Sequence, residues 1–242
     1  IAEHKDVRLP IMICQDGFIT SHAVENIELI EDEKVKAFVG EYEPEDYLLK
    51  DGESFHVGPY AVTNYYMEAK RAQAEGMKNA KRVILEVAKE FEAMTGRSYG
   101  FFEEYRLADA DYAIVIMGSA VGTAKDAVDR LRAQGVKAGL LKLRVFRPFP
   151  AEELAAALAH VRVLACMDRT ESFNNECGPL GAEVKSALFD AGLAPKVINY
   201  VYGLGGRDVT VESITSVYED LIQIDKTKEM GAKYRYLSLR EE

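Results

Sequence analysis

Between residues 111 and 207 the chain runs three times through one succession: an apolar strand, a loop rich in Gly, Pro or charge, and an amphipathic helix. Such alternation predicts a parallel α/β domain, because a helix after each strand returns the chain to lay the next strand in the same direction. The first unit is AIVIMGSAVGTAKDAVDRL, with a buried strand at 113–117, a turn at 118–123 and the opening of a helix at 124–131. The second and third units are GLLKLRVFRPFP and RVLACMDRTESFNNECGPLGAEVKSAL.

At 242 residues and 48% hydrophobic content the chain can bury a sizeable core, and two unequal parts are expected. No apolar run is long enough to span a bilayer, and the opening IAEHKDVRLP lacks the basic-then-apolar layout of a signal peptide. A cytoplasmic location without membrane contact is the default expectation. The formal charge of −10 argues against a nucleic-acid surface, which needs clustered Lys and Arg, and against the main dock for an acidic electron carrier. Cys14, Cys166 and Cys177 are widely spaced and form none of the sets that hold iron–sulfur clusters, so any cluster belongs on another chain. Cys14 and Cys166 lie in strand-like runs and read as buried thiols, while Cys177 sits in a polar loop.

Before the repeats, PIMICQDGF predicts a strand ending in an Asp-Gly turn, the last of a domain whose beginning lies outside the sequence. Helix spacing follows over 20–30 with Ser21 as a plausible cap, then a short helix in EDEKVKAFVG stopped by Gly40. Residues 41–64 show little periodicity and read as an extended connection. Apolar and small residues then recur at helical spacing from Tyr65 to about Thr95, a long helix with a possible bend at Gly76 and a stop at Gly96. After a strand near Tyr200, Thr210 can cap a final helix over 211–222, and the polar tail is expected to cross a neighbouring surface.

Several motifs carry possible chemistry. GSAVGT at 118–123 could offer backbone N–H groups to a phosphate, yet it lacks the Walker lysine and the GxGxxG pattern, and a tight turn explains its glycines as well. GLGGRD at 203–208 sets three glycines beside Arg207 and Asp208 before a capped helix, fit for an anion, a partner loop or a structural turn. Arg147 in RPFP reads as a paired, partly buried charge, and the DRTES run at 168–172 follows a strand end, where open α/β sheets gather ligands. Asp16, Thr20, Ser21 and His22 combine acid, hydroxyls and imidazole, but adjacency of Ser21 and His22 does not establish a triad. His56 and His160 stand isolated and form no metal set.

Taken in order, PIMICQDGFITSH, FHVGPYAVTNYYMEAKRAQAEGMKNA, GSAVGT, FRPFP, MDRTESFNNECGPLGAEV and YGLGGRDV resemble the alpha subunit of 2-oxoacid:ferredoxin oxidoreductases, of the pyruvate synthase or oxalate oxidoreductase type. The likeness covers nearly the whole chain. It implies a thiamine-diphosphate enzyme, with Mg and 4Fe–4S clusters in the complex, that cleaves the bond next to a 2-oxoacid carboxylate and passes electrons to ferredoxin. Coenzyme A takes the acyl group where there is one. It also implies an α/β fold in which a transketolase C-terminal-like parallel-sheet domain (101–242) follows the end of a pyrimidine-binding-type domain (1–30) and a connecting segment with a long helix (31–100).

The resemblance places this chain after the family's substrate-contacting and cofactor-activating residues. The expectation is therefore a stretch that shapes and assembles a multisubunit site and is inactive alone, with no catalytic residue of its own. Most of the cofactor would be held by other subunits or by the family's earlier residues, which lie outside this sequence, and the clusters by other subunits. Its candidate cofactor or interface contacts are Thr20, Ser21, His22, Arg207 and Asp208, which follow strand ends or precede helices. The rival is a non-catalytic α/β module that binds a nucleotide or phosphate through 118–123 and 203–208 and regulates a partner.

Overall fold

The structure is a computed structural model and describes residues 1–54, 57–58, 60–174 and 176–240; His56 lies outside the described residues. The helices in chain order are α1 (Ile19–His22), α2 (Asp32–Val39), α3 (Tyr66–Thr95), α4 (Ala120–Ala133), α5 (Ala151–Leu158), α6 (Pro179–Asp190) and α7 (Val211–Thr227). The strands are β1 (Phe102–Tyr105), β2 (Tyr112–Ile116), β3 (Ala138–Leu143), β4 (Val163–Asp168), β5 (Lys196–Val201) and β6 (Tyr234–Tyr236). The chain divides into two compact units, Ile1–Ile13 with Val24–Tyr99 and Cys14–Ala23 with Gly100–Glu242.

In the first unit α3 supplies the framework. Its end at Gly96 is a left-handed cap (φ 72°) whose N–H reaches Glu92 O at 2.7 Å, a conformation glycine adopts without cost. Gly76 serves close approach: a Cβ there would stand 2.7 Å from the Val7 carbonyl oxygen. Val7, Ala80 and Val83 form a small core at that contact, and Arg82 and Asn79 bind Asp6. Gly40 ends α2 with its N–H on Lys36 O. Two expectations for the early chain fail. Residues 10–16 pair with no strand, and Met12 and Ile13 are 87% and 92% exposed, because a strand exists only through a neighbour. The helix expected over 20–30 is one turn, α1; Val24 and Ile27 find nothing to pack against, and so short a helix has little stability without burial. Cys14 is accordingly exposed.

The second unit is a six-stranded sheet of order β1-β3-β2-β4-β5-β6, parallel except for β1, which runs antiparallel to β3. Period-two alternation covers both faces. Ile114, Ile116, Leu140, Met167 and Ile198 pack with Val128 of α4 and Val217 and Leu221 of α7; Val115, Leu141, Leu164 and Cys166 pack with Leu154 of α5 and Val184 of α6. Full burial of such side chains contributes about 1.5–3 kcal/mol each, which is why β2 is apolar throughout. Thr210 caps α7: its hydroxyl accepts Ser213 N–H at 3.1 Å, while Ser213 Oγ accepts Thr210 N–H at 3.1 Å. The tail turns back as β6 beside β5, so part of it completes this sheet.

Candidate functional site

β2 and β4 are neighbours, yet β2 leads into α4 on one face and β4 into α6 on the other. Chains leaving adjacent strand ends in opposite directions open a crevice, the place where open α/β sheets take ligands. A cleft of about 310 Å³ lies there, lined by Met117 and Gly118 after β2, Phe146 after β3, Asp168, Arg169 and Thr170 at the end of β4, and Tyr202 after β5, with Asp16 on its rim.

Asp16 is one of two aspartates that line this cleft. Its carboxylate accepts Ser119 N–H at 3.2 Å, the Ser119 hydroxyl, and the Thr20 hydroxyl at 2.5 Å, and lies 3.8 Å from Arg169 Nη1. Burial acts to raise its pKa, but the hydrogen bonds from Ser119 and Thr20 prevail and hold it below the usual carboxylate range. Arg169 also donates through Nε to Gly203 O at 3.3 Å. Tyr202 donates to Met117 O at 3.4 Å, and burial pushes its phenol up to about 12, so it stays protonated at neutral pH. None of these groups is a base held against a nucleophile.

Asp168 has a different role. It is buried and accepts Leu180 N–H at 2.8 Å, Gly181 N–H at 3.0 Å and Asn199 Nδ2 at 2.9 Å, capping the first turn of α6. Asn199, also buried, donates to Cys166 O at 2.8 Å and accepts Gly178 N–H. A Cβ on Gly178 would stand 2.3 Å from Asp168 Cγ, and one on Gly181 would stand 2.9 Å from Asn199 Oδ1. The GPLG glycines therefore serve close helix–sheet contact, and Cys177 is buried beside them.

Of the residues singled out in the sequence, Thr20 reaches the cleft through Asp16. Ser21 Oγ and His22 Nδ1 lie 2.8 Å apart and the His22 ring stacks on Phe18, but both are exposed and no carboxylate among the described residues completes a triad. Arg207 is exposed and donates to Ser238 O, fastening the glycine loop to the tail, and Asp208 is exposed beside it; neither lines the cleft. The phosphate-loop reading of 118–123 meets a different arrangement: Gly122 and Thr123 lie inside α4, and Ser119 N–H is taken by Asp16. Arg147 pairs with Glu183 but is half exposed, and His160 is bonded to Leu107 O. Arg169, Tyr202, Met117 and Phe146 were not singled out individually; their common signal is position, each just beyond the carboxyl end of a parallel strand.

Two family patterns match the chain, "Pyruvate flavodoxin/ferredoxin oxidoreductase, thiamine diP-bdg" over residues 1–89 and "Pyruvate:ferredoxin oxidoreductase core domain II" over 110–214. The pyruvate synthase subunit PorA of Thermotoga maritima is 46% identical over 241 residues, covering all of this chain and 60% of that protein. The chain belongs to the pyruvate:ferredoxin oxidoreductase alpha-subunit family. PorA of Methanocaldococcus jannaschii is 39% identical over 96% of the chain and 60% of its own length. The alpha subunit of the NADH-dependent phenylglyoxylate dehydrogenase of Aromatoleum evansii is 37% identical over 91% and 55%. The chain thus spans about 60% of the length of the PorA relatives it matches. The described residues of this alpha-subunit chain hold no complete site for the family's cofactor. Thr20, Ser21 and His22 are exposed on a single turn, and no set of three His, Cys, Asp or Glu among the described residues can hold a metal ion. No helix among them is long and apolar enough to cross a membrane.

Proposed function

We propose that this chain serves in a multisubunit, thiamine-diphosphate-dependent 2-oxoacid:ferredoxin oxidoreductase, with pyruvate as substrate, coenzyme A as acyl acceptor and ferredoxin taking the electrons through 4Fe–4S clusters on other chains. The observation that carries this reading is the 46% identity to a pyruvate synthase subunit along the entire chain. In it, residues 1–30 close a pyrimidine-binding-type domain, 31–100 connect, and 101–242 form a transketolase C-terminal-like domain, in keeping with the thiamine-diphosphate family pattern over 1–89 and the mostly parallel sheet beyond. Thr20, Ser21, His22, Arg207 and Asp208 are this chain's contributions to cofactor or subunit contacts in a site built by several chains, in the cytoplasm. The organic chemistry belongs to the cofactor; this chain's residues shape and orient.

The test is anaerobic purification of the full-length subunit with its partners, followed by assay for iron, thiamine diphosphate and 2-oxoacid-dependent reduction of a viologen dye. Reduction with pyruvate that requires thiamine diphosphate is expected. Reduction with oxalate or an aryl 2-oxoacid in place of pyruvate would reassign the substrate, and a complex with no 2-oxoacid-dependent reduction would overturn the reading.

A further inference from the structure

Among Cys14–Ala23 every side chain is exposed except that of Asp16, yet this short stretch groups with the sheet unit while its flanks on both sides do not. A side-chain link to that unit runs through one carboxylate. Asp16 sits against the first turn of α4, accepting the backbone N–H and the hydroxyl of Ser119, with Arg169 at 3.8 Å. Gly118, at φ 80°, turns the backbone so that Ser119 N–H faces it. The helix dipole and Arg169 both favour a negative charge at this spot. Four residues on, Thr20 donates back to the same carboxylate, which ties α1, the turn that carries Ser21 and His22, to the docked group.

We propose that Asp16 is a positioning residue: its carboxylate seats residues 14–23 at the switch point of the sheet and thereby sets where Thr20, Ser21 and His22 are presented. The seat stands on the geometry above; the consequence for activity rests on the function proposed in the preceding section.

The test uses the full-length subunit in its assembled complex. Hydrogen exchange read by mass spectrometry compares the amides of 17–23 in the wild type, Asp16→Ala, Ser119→Ala and the double variant. Asp16→Ala is expected to raise their exchange about tenfold, the worth of charge-assisted hydrogen bonds, while peptides from β4 and α7 keep wild-type protection. Ser119→Ala, which retains the backbone N–H, is expected to raise it about threefold. The double variant is expected to match Asp16→Ala, since the same contact is already gone. Unchanged exchange in Asp16→Ala, or additive effects in the double variant, overturns the proposal. In the active complex Asp16→Ala is expected to raise the half-saturating thiamine-diphosphate concentration with kcat at saturation retained; a fall in kcat alone overturns the positioning role. An inactive wild-type complex whose 17–23 amides still respond would retire the functional reading and leave the seat. An active one without the response would do the reverse.

Discussion

Replacing Asp168 with alanine isolates the polar knot that joins α6 to the sheet. The carboxylate is 4% exposed and is the acceptor for Leu180 N–H and Gly181 N–H and one of two acceptors for the Asn199 amide. Asn199 keeps its bond to Cys166 O after the substitution, but the two helix N–H groups are left buried without a partner. Each orphaned donor costs about 1–3 kcal/mol, and losing the negative charge at the helix N-terminus adds up to about 1 kcal/mol. The sum is a loss of about 2–7 kcal/mol, a fall in Tm of about 5–25 °C for a domain of this size. Asp168→Asn, which keeps one acceptor oxygen, should lose about half as much. Urea unfolding followed by far-ultraviolet circular dichroism measures both, with an unchanged slope required for the comparison. A loss below about 1 kcal/mol for Asp168→Ala would refute the reasoning, because the carboxylate would then not be the cap and would be free to meet a ligand.

Glycines in two motifs should respond in opposite senses. Gly122→Ala places a Cβ in open space within α4 and is expected to be neutral or to stabilise by up to about 1 kcal/mol; Gly178→Ala, whose Cβ meets Asp168 Cγ, is expected to cost about 2–3 kcal/mol, and paired thermal melts distinguish them. Glu171 accepts hydroxyl bonds from Tyr234 at 2.5 Å and from Tyr236, which lower its pKa from 4.5 to about 2. A depressed carboxylate stabilises the fold above its unfolded pKa, and that contribution fades as pH falls from about 4.5 toward 2. Glu171→Gln should therefore lower the urea midpoint at pH 6 and converge with wild type near pH ~2; an equal difference at both values would show that the ionised carboxylate does not hold β6 in place.

The repeats of strand, loop and helix were legible because burial imposes local periodicity: β2, β3 and β4 each carry an apolar run, and α4, α5 and α6 follow them. Gly96 and Thr210 were legible for the same local reason, since a left-handed cap and a hydroxyl N-cap are properties of the residues themselves. Long-range pairing was not. The apolar run at 11–13 has strand composition and no strand, while Tyr234–Tyr236 in a polar tail pairs with β5. The candidate site divides along the same line. The acids Asp16 and Asp168 stood out in the sequence, but the structure assigns Asp168 to a buried cap and Asp16 to a seat on α4.

By itself the sequence determined the α/β class, the helix caps at Gly96 and Thr210 and the family to which the chain belongs, all of which rest on neighbouring residues or on motifs taken in order. Only the tertiary structure decided which strand ends adjoin. The order β3-β2-β4-β5 brings Met117, Phe146, Arg169 and Tyr202 from four separate loops into one cleft. Strand order is set by which faces bury one another across the whole unit, a free energy shared among distant residues that no local pattern contains.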